Sequence, residues 1–120
     1  VSHWLPDRPH WISAEVATNL GTMKRDDVIH LLRKLETPLR AEGVAHVSLF
    51  GSRARGDERA DSDIDLLIEI DPEARFSVLN LVGIEHIVSD ASGLSANAFM
   101  RRSLEEGFRD AIASDIVNVF

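Results

Sequence analysis

Two aspartates, Asp63 and Asp65, are separated by one residue within the run DIDLLIEI, which covers residues 63–70. The alternation of acidic residues with isoleucine and leucine predicts a β-strand. A strand places both carboxylates on one face, where two like charges repel each other. Magnesium is bound by carboxylates together with substrate phosphates, so the pair indicates a magnesium site. Taken alone, such a pair is more often a turn cap beside a solvated acid.

The dipeptide Gly51-Ser52 follows directly on an apolar run, residues 46–50, that predicts another strand. A glycine at this point lets the backbone approach a phosphate closely. Backbone N–H groups and the Ser52 hydroxyl can then form a site for an anion. The order of strand, Gly-Ser, polar loop and Asp-x-Asp puts a phosphate cradle beside a metal site, as nucleotidyl transfer requires. Arg53 or Arg55 would add positive charge to the phosphates.

The remaining elements follow from the spacing of apolar residues and from turn signals. A helix is predicted from Asp26 to Glu42, with a break near Thr37 that Pro38 imposes. The other predicted elements are a helix over residues 76–89, a short strand over 93–100, and a last helix over about 104–117 that opens with a capping box at residues 103–106.

The helix over residues 76–89 carries more apolar residues than one buried face needs. Either the surplus lies in the core, or it forms a surface for a partner or for a second copy of the chain. Both interpretations stay open from the sequence, so a homo-oligomer is among the expectations.

Composition restricts the class of protein. The chain has 120 residues, enough for one domain, and its net charge is −7. Nucleic-acid contacts need clustered lysine and arginine, so direct nucleic-acid binding is not expected. No apolar run approaches the roughly 20 residues that span a bilayer, and no membrane association is predicted. The absence of cysteine fits a cytoplasmic protein.

Residues 1–22 differ from the rest because they hold both tryptophans and two of the four prolines. Met23 resembles a natural start. We therefore expect an N-terminal extension over residues 1–22 and one domain over residues 23–120. An N-terminal arm that packs through its tryptophans is the alternative.

The stretch GSRARGDERADSDIDLLIEID resembles the signature of the polymerase-β-type nucleotidyltransferases, and it is most similar to the minimal nucleotidyltransferases, or MNT proteins. Gly-Ser, ten residues and Asp-x-Asp have the family spacing. The resemblance implies an α+β fold, with a small mixed sheet of about three strands and helices packed on one side. It assigns nucleotide binding to Gly51, Ser52, Arg53 and Ser62, and it makes Asp63 and Asp65 the catalytic, magnesium-binding pair.

The resemblance also implies a function. MNT proteins typically act as antitoxins that pair with a HEPN-domain ribonuclease toxin, and some transfer AMP from ATP onto a tyrosine of that toxin. Larger relatives use a second domain to choose the acceptor, so the acceptor here is expected to be another protein. A small-molecule transferase is the least favoured expectation.

One position departs from the family pattern. The superfamily usually has a third carboxylate on the strand after the central helix, and alignment places Asn97 there. An amide oxygen can bind a metal but cannot act as a base. The chain is therefore expected either to transfer nucleotides weakly, or to neutralise its partner by contact. Glu69 shares the face of Asp65 but lies about 13 Å along the strand, and Asp90 is a weaker substitute still.

Overall fold

The computed structural model describes residues 23–120, so the predicted extension over residues 1–22 lies outside the described part. The elements follow the predicted order up to β3. They are α1 (Arg25–Lys34), α2 (Glu36–Ala41), β1 (Val44–Phe50), α3 (Ser52–Arg55), β2 (Ile64–Ile70), α4 (Val78–Ser92), β3 (Ala96–Met100), a 3-10 turn (Arg101–Ser103), α5 (Glu106–Ile112) and β4 (Val117–Asn118).

The strands form one mixed sheet in the order β3-β2-β1-β4. β1 is antiparallel to both β2 and β4, whereas β2 and β3 are parallel. The crossover between the two parallel strands is α4, as parallel pairing requires. The α+β class and the mixed sheet are therefore confirmed, although the sheet has four strands where about three were expected.

The fourth strand replaces the end of the last predicted helix. α5 ends at Ile112, and β4 then pairs with Ser48 and Leu49 of β1. This pairing satisfies backbone groups of β1 that would otherwise line a free edge of the sheet. The predicted capping box is also wrong, because Ser103 lies in the 3-10 turn and the helix begins only at Glu106.

Apolar side chains cover both faces of the sheet. The larger core lies between one face and the helices α1, α2 and α4, with α3 contributing Ala54. A smaller cluster on the other face contains Phe50, Leu67 and Ile112, so α5 packs there. The expected arrangement, with helices on one side, thus holds for the helices of the larger core and fails for α5.

The break in the first helical segment occurs at Leu35, two residues before the predicted position. Pro38 lies in the first turn of α2. Backbone N–H groups in the first turn have no acceptor within the helix, so the N–H that proline lacks costs no helical hydrogen bond. The Leu39 N–H donates to the Leu35 carbonyl at 3.0 Å and thus starts the second helix. The predicted break near the proline is therefore confirmed, slightly earlier in the chain.

Some of the apolar residues of α4 lie in the core, and others lie on the surface. Ile84 and Val88 are buried in the core, whereas Val78 and Leu79 are 74% and 82% exposed.

Among residues 23–120, no helix is long and apolar enough to cross a membrane.

The buried side chain of Arg53 stabilises the loop between α3 and β2 through hydrogen bonds to backbone carbonyls. Its side chain is 0% exposed, and its guanidinium donates to the carbonyls of Met23 (2.5 Å), Ser62 (2.9 Å), Ala60 (3.2 Å) and Arg59 (3.3 Å). A guanidinium has five N–H donors in a fixed fork, so one side chain can bind several carbonyls at once. Arg53 therefore fixes the chain just before β2, where the aspartate pair begins.

We expect the substitution Arg53→Met to lower the free energy of unfolding by at least about 3 kcal/mol, because buried carbonyls lose charged donors. Urea unfolding followed by circular dichroism measures the change. Arg55→Met is the matched control on the same helix, since Arg55 is exposed and pairs only at the surface. An equal loss in both variants would show that Arg53 has no special role in the loop.

Candidate active site

The end of β1 and the start of β2 bring the Gly-Ser turn against the aspartate pair. Phe50 pairs with Asp65 across the two antiparallel strands, so Gly51 follows directly beside that carboxylate. Gly51 has φ +80° and ψ −159°, a region that is essentially limited to glycine. A Cβ built on Gly51 would collide with Oδ2 of Asp65. The glycine is therefore required both by its backbone angle and by the close approach.

The two aspartates lie side by side as the strand spacing predicts. Asp63 is exposed just before β2, and Asp65 is half-buried within it. The Asn97 amide nitrogen donates to Oδ2 of Asp63 at 3.0 Å and to Oδ1 of Asp65 at 3.3 Å. The parallel register of β2 and β3 creates this contact, because it sets Asn97 opposite Asp65. Sequence alignment placed Asn97 near the pair but did not indicate that it bridges the pair.

Burial raises the pKa of Asp65 above its ordinary value of 3.8, and the neighbouring charge of Asp63 raises it further. The hydrogen bond from Asn97 and the positive charge of Arg55 act in the opposite direction. The net effect is a carboxylate whose ionised form is disfavoured by the folded protein. A carboxylate whose pKa is perturbed by burial and by a neighbouring charge is typical of a functional site.

The donor set fits a hard divalent cation. Within residues 23–120, no cluster of three or more histidine, cysteine, aspartate and glutamate side chains could hold a metal. Two carboxylates and the Asn97 amide remain, and carboxylate and amide oxygens are ligands that magnesium accepts. Glu69 does not join them, since its carboxylate lies 3.1 Å from Nε of Arg101, and Asp90 is exposed on α4.

The structure separates the two candidate arginines. The Arg53 guanidinium is occupied by backbone carbonyls inside the loop, so its predicted contact with phosphate would require those bonds to break. Arg55 is exposed, pairs with Asp57 and Asp115, and is the arginine whose charge acts on Asp65. The pairing with Asp115, which lies 60 residues away, had no signal in the sequence.

The two serines lie on either side of the loop. Ser52 is the first residue of α3, whose leading N–H groups have no acceptor within the helix. The Ser62 hydroxyl accepts the Arg59 N–H at 2.8 Å, and the Ser62 carbonyl accepts from Arg53. Ser62 therefore shapes the loop before Asp63, and its contact with nucleotide stays a prediction.

We expect Gly51→Ala to disturb the site more than Gly56→Ala, although both glycines have positive φ. A Cβ on Gly56 would meet nothing within 4 Å, so that variant suffers only the left-handed backbone cost of about 1–2 kcal/mol. In Gly51→Ala the Cβ also displaces the Asp65 carboxylate. Calorimetric titration with a non-hydrolysable ATP analogue and thermal unfolding measure both effects, and equal losses of binding would contradict the geometry.

The raised pKa of Asp65 gives a stability prediction with a defined sign. The folded state binds the Asp65 proton more tightly than the unfolded state, so ionisation costs stability as pH rises above 3.8. Asp65→Asn removes that cost, and we expect this variant to melt above the wild type at pH 7 in EDTA. The difference should shrink towards zero as pH falls below 3.8. A variant that melts lower at pH 7 would contradict the predicted sign.

Comparison with known proteins places this geometry in a family. A family model described as a nucleotidyltransferase domain matches residues 31–118. The protein adenylyltransferase MntA of Thermococcus cleftensis is 31% identical over 77 residues, which cover 64% of this chain and 76% of the relative.

Two solved structures share the fold. A protein assigned as a minimal nucleotidyltransferase has a TM-score of 0.66 at 24% identity, over 80% of this chain and 96% of its own. A chain from the complex of the tri-AMPylated Shewanella oneidensis HEPN toxin with an MNT antitoxin has a TM-score of 0.55 at 14% identity, over 77% and 71% of the two chains. The resemblance to minimal nucleotidyltransferases is thereby confirmed. The chain belongs to the nucleotidyltransferase-domain family, and it is a nucleotidyltransferase.

Proposed function

We propose that this protein is an MNT-type protein adenylyltransferase that transfers AMP from ATP to a tyrosine of a partner HEPN-domain toxin, and so acts as an antitoxin. The observation that carries the proposal is the aspartate pair held directly against the Gly51 turn. A phosphate cradle and a paired carboxylate site in contact are the two parts that nucleotidyl transfer needs.

The chemistry fits the groups present. The tyrosine oxygen forms a bond to the α-phosphorus of ATP, and the bond from that phosphorus to the oxygen that bridges the α- and β-phosphates breaks. Pyrophosphate leaves with the electron pair, and the phenol proton passes to solvent water. Asp63 and Asp65 would hold Mg²⁺, which supplies charge neutralisation at the phosphate oxygens. The Gly51-Ser52 turn would position the triphosphate, and Arg55 would add positive charge at the rim of the site.

Similarity supports the acceptor class. The MntA relative is named as a protein adenylyltransferase, and the Shewanella complex contains an AMPylated HEPN toxin beside its antitoxin. A protein acceptor would complete the site, because the aspartate pair is open on the side of Asp63. We place the reaction in the cytoplasm, where ATP is abundant.

A second candidate function rests on Asn97. An amide at this position cannot take the proton from the attacking hydroxyl, and it occupies both carboxylates through hydrogen bonds. The protein would then neutralise its toxin by contact, with nucleotide transfer slow or absent.

The test is incubation of the chain with Mg²⁺, α-labelled ATP and the HEPN-domain product of the neighbouring gene. We expect label on the partner from α-labelled ATP and none from γ-labelled ATP, because AMP is transferred and pyrophosphate leaves. Asp63→Asn and Asp65→Asn should lower the labelling rate roughly 100-fold or more, the scale of losing one electrostatic stabiliser of a transition state.

Glu69→Gln is the control for this assay. Glu69 is a carboxylate on the same face of β2, but it lies beside Arg101 and away from the pair, so its loss should leave labelling unchanged. Replacement of the modified tyrosine with phenylalanine should abolish labelling. If folded proteins give no label and the double variant Asp63→Asn/Asp65→Asn still neutralises the toxin, contact is the mechanism and transfer is not.

A further inference from the structure

The Asn97 amide links the two carboxylates of the aspartate pair. Its single nitrogen carries two hydrogens and serves Asp63 at 3.0 Å and Asp65 at 3.3 Å. Rotation of the amide by half a turn would set its oxygen against carboxylate oxygens, all of them acceptors. Repulsion therefore selects the orientation in which nitrogen faces the pair.

The Asp65 carboxylate is confined on two sides. Its Oδ1 accepts from Asn97, and its Oδ2 lies against Gly51, so close that a Cβ on that residue would collide with it. Asp63 is exposed, and its described side-chain hydrogen bond is the one from Asn97. The amide thus holds the exposed carboxylate of Asp63 next to the half-buried carboxylate of Asp65, despite their like charges.

We propose that the Asn97 amide stands in for the cation, holding Asp63 and Asp65 together until a divalent cation binds. The inference rests on the proposed function, because that function makes the pair a cation site. As the cation binds, the amide turns about its Cβ–Cγ bond and presents oxygen in place of nitrogen. The two carboxylates are therefore positioned before the cation binds. The site binds the cation more weakly than a site with three carboxylates would, since a neutral oxygen attracts a divalent cation less than a carboxylate does.

An aspartate at position 97 would reverse both effects. Three carboxylates would then meet within hydrogen-bonding distance and repel each other in the absence of cation. With a cation present, the third negative charge would strengthen binding. A simple packing defect would lower stability equally in both conditions, so the opposite signs distinguish a cation substitute from a structural residue.

The experiment compares thermal unfolding of the full chain and its Asn97→Asp variant, in EDTA and across a MgCl₂ titration, repeated with MnCl₂. In EDTA we expect the variant to melt roughly 4 °C or more below the wild type, the shift that about 1 kcal/mol gives in a domain of this size. Added cation should raise the melting temperature of the variant more than that of the wild type. The apparent dissociation constant for Mg²⁺ should be roughly tenfold lower in the variant, following ligand charge.

The double variant Asp63→Asn/Asn97→Asp is the matched control, because it exchanges the amide and the carboxylate. It keeps two carboxylates and one amide, so it should recover the melting temperature in EDTA that Asn97→Asp alone loses. If Asn97→Asp is too unstable to study alone, this recovery still tests the bridge. A double variant no more stable than the single one would mean that packing, not charge, causes the loss.

Two results would overturn the proposal. One is a melting temperature of Asn97→Asp in EDTA equal to that of the wild type, since the bridge would then be unnecessary. The other is a cation-induced shift no larger than that of the wild type, since position 97 would then not face the cation. Failure of AMP transfer with these shifts intact would refute the proposed function and leave the role of Asn97 standing.

Discussion

Repulsion between the carboxylates of Asp63 and Asp65 is the constraint around which this site is arranged. Asp63 directly precedes β2 and Asp65 lies within it, so strand geometry places both carboxylates on one face. The protein compensates with neutral and positive groups at the rim. The Asn97 amide donates to both carboxylates, and the Arg55 charge favours ionisation of Asp65. The pKa of Asp65 stays raised, first because the carboxylate is half-buried and then because of the neighbouring charge of Asp63, and a bound cation would lower it.

Positioning of the pair depends on a second, buried interaction. The loop between α3 and β2 is polar and carries few apolar residues that could anchor it. Arg53 replaces a hydrophobic anchor by directing its guanidinium inward to three backbone carbonyls of the loop and to the Met23 carbonyl before α1. A lysine could not do this, because an ammonium lacks the planar fork of donors. The same short helix thus exposes Arg55 to the site and buries Arg53 beneath it.

The two faces of the sheet differ in what they carry. The face towards α1, α2 and α4 is a continuous core that fixes the strands. The other face carries the aspartate pair at one end and the ion pair of Glu69 with Arg101 at the other, separated by the aromatic cluster of Phe50, Phe99 and Phe108. This division keeps Glu69 away from the cation site, although it shares a strand face with Asp65. Asp65 and Glu69 therefore differ in their surroundings: Asp65 lies beside Asp63, whereas Glu69 lies four residues further along β2, beside Arg101.

The sequence by itself determined the local features of this protein. Alternation placed Asp63 and Asp65 on one face, the apolar run before Gly51 ended a strand, and Pro38 required a break in the first helical segment, because each of these depends on neighbouring residues. Tertiary structure decided the rest. Strand pairing turned the predicted end of the last helix into β4, because β1 needed backbone partners. Likewise, only burial showed which arginine faces inward, and only the parallel register showed that Asn97 bridges the pair. Contacts between residues distant in sequence leave no periodic signal along the chain, so the fold alone could reveal them.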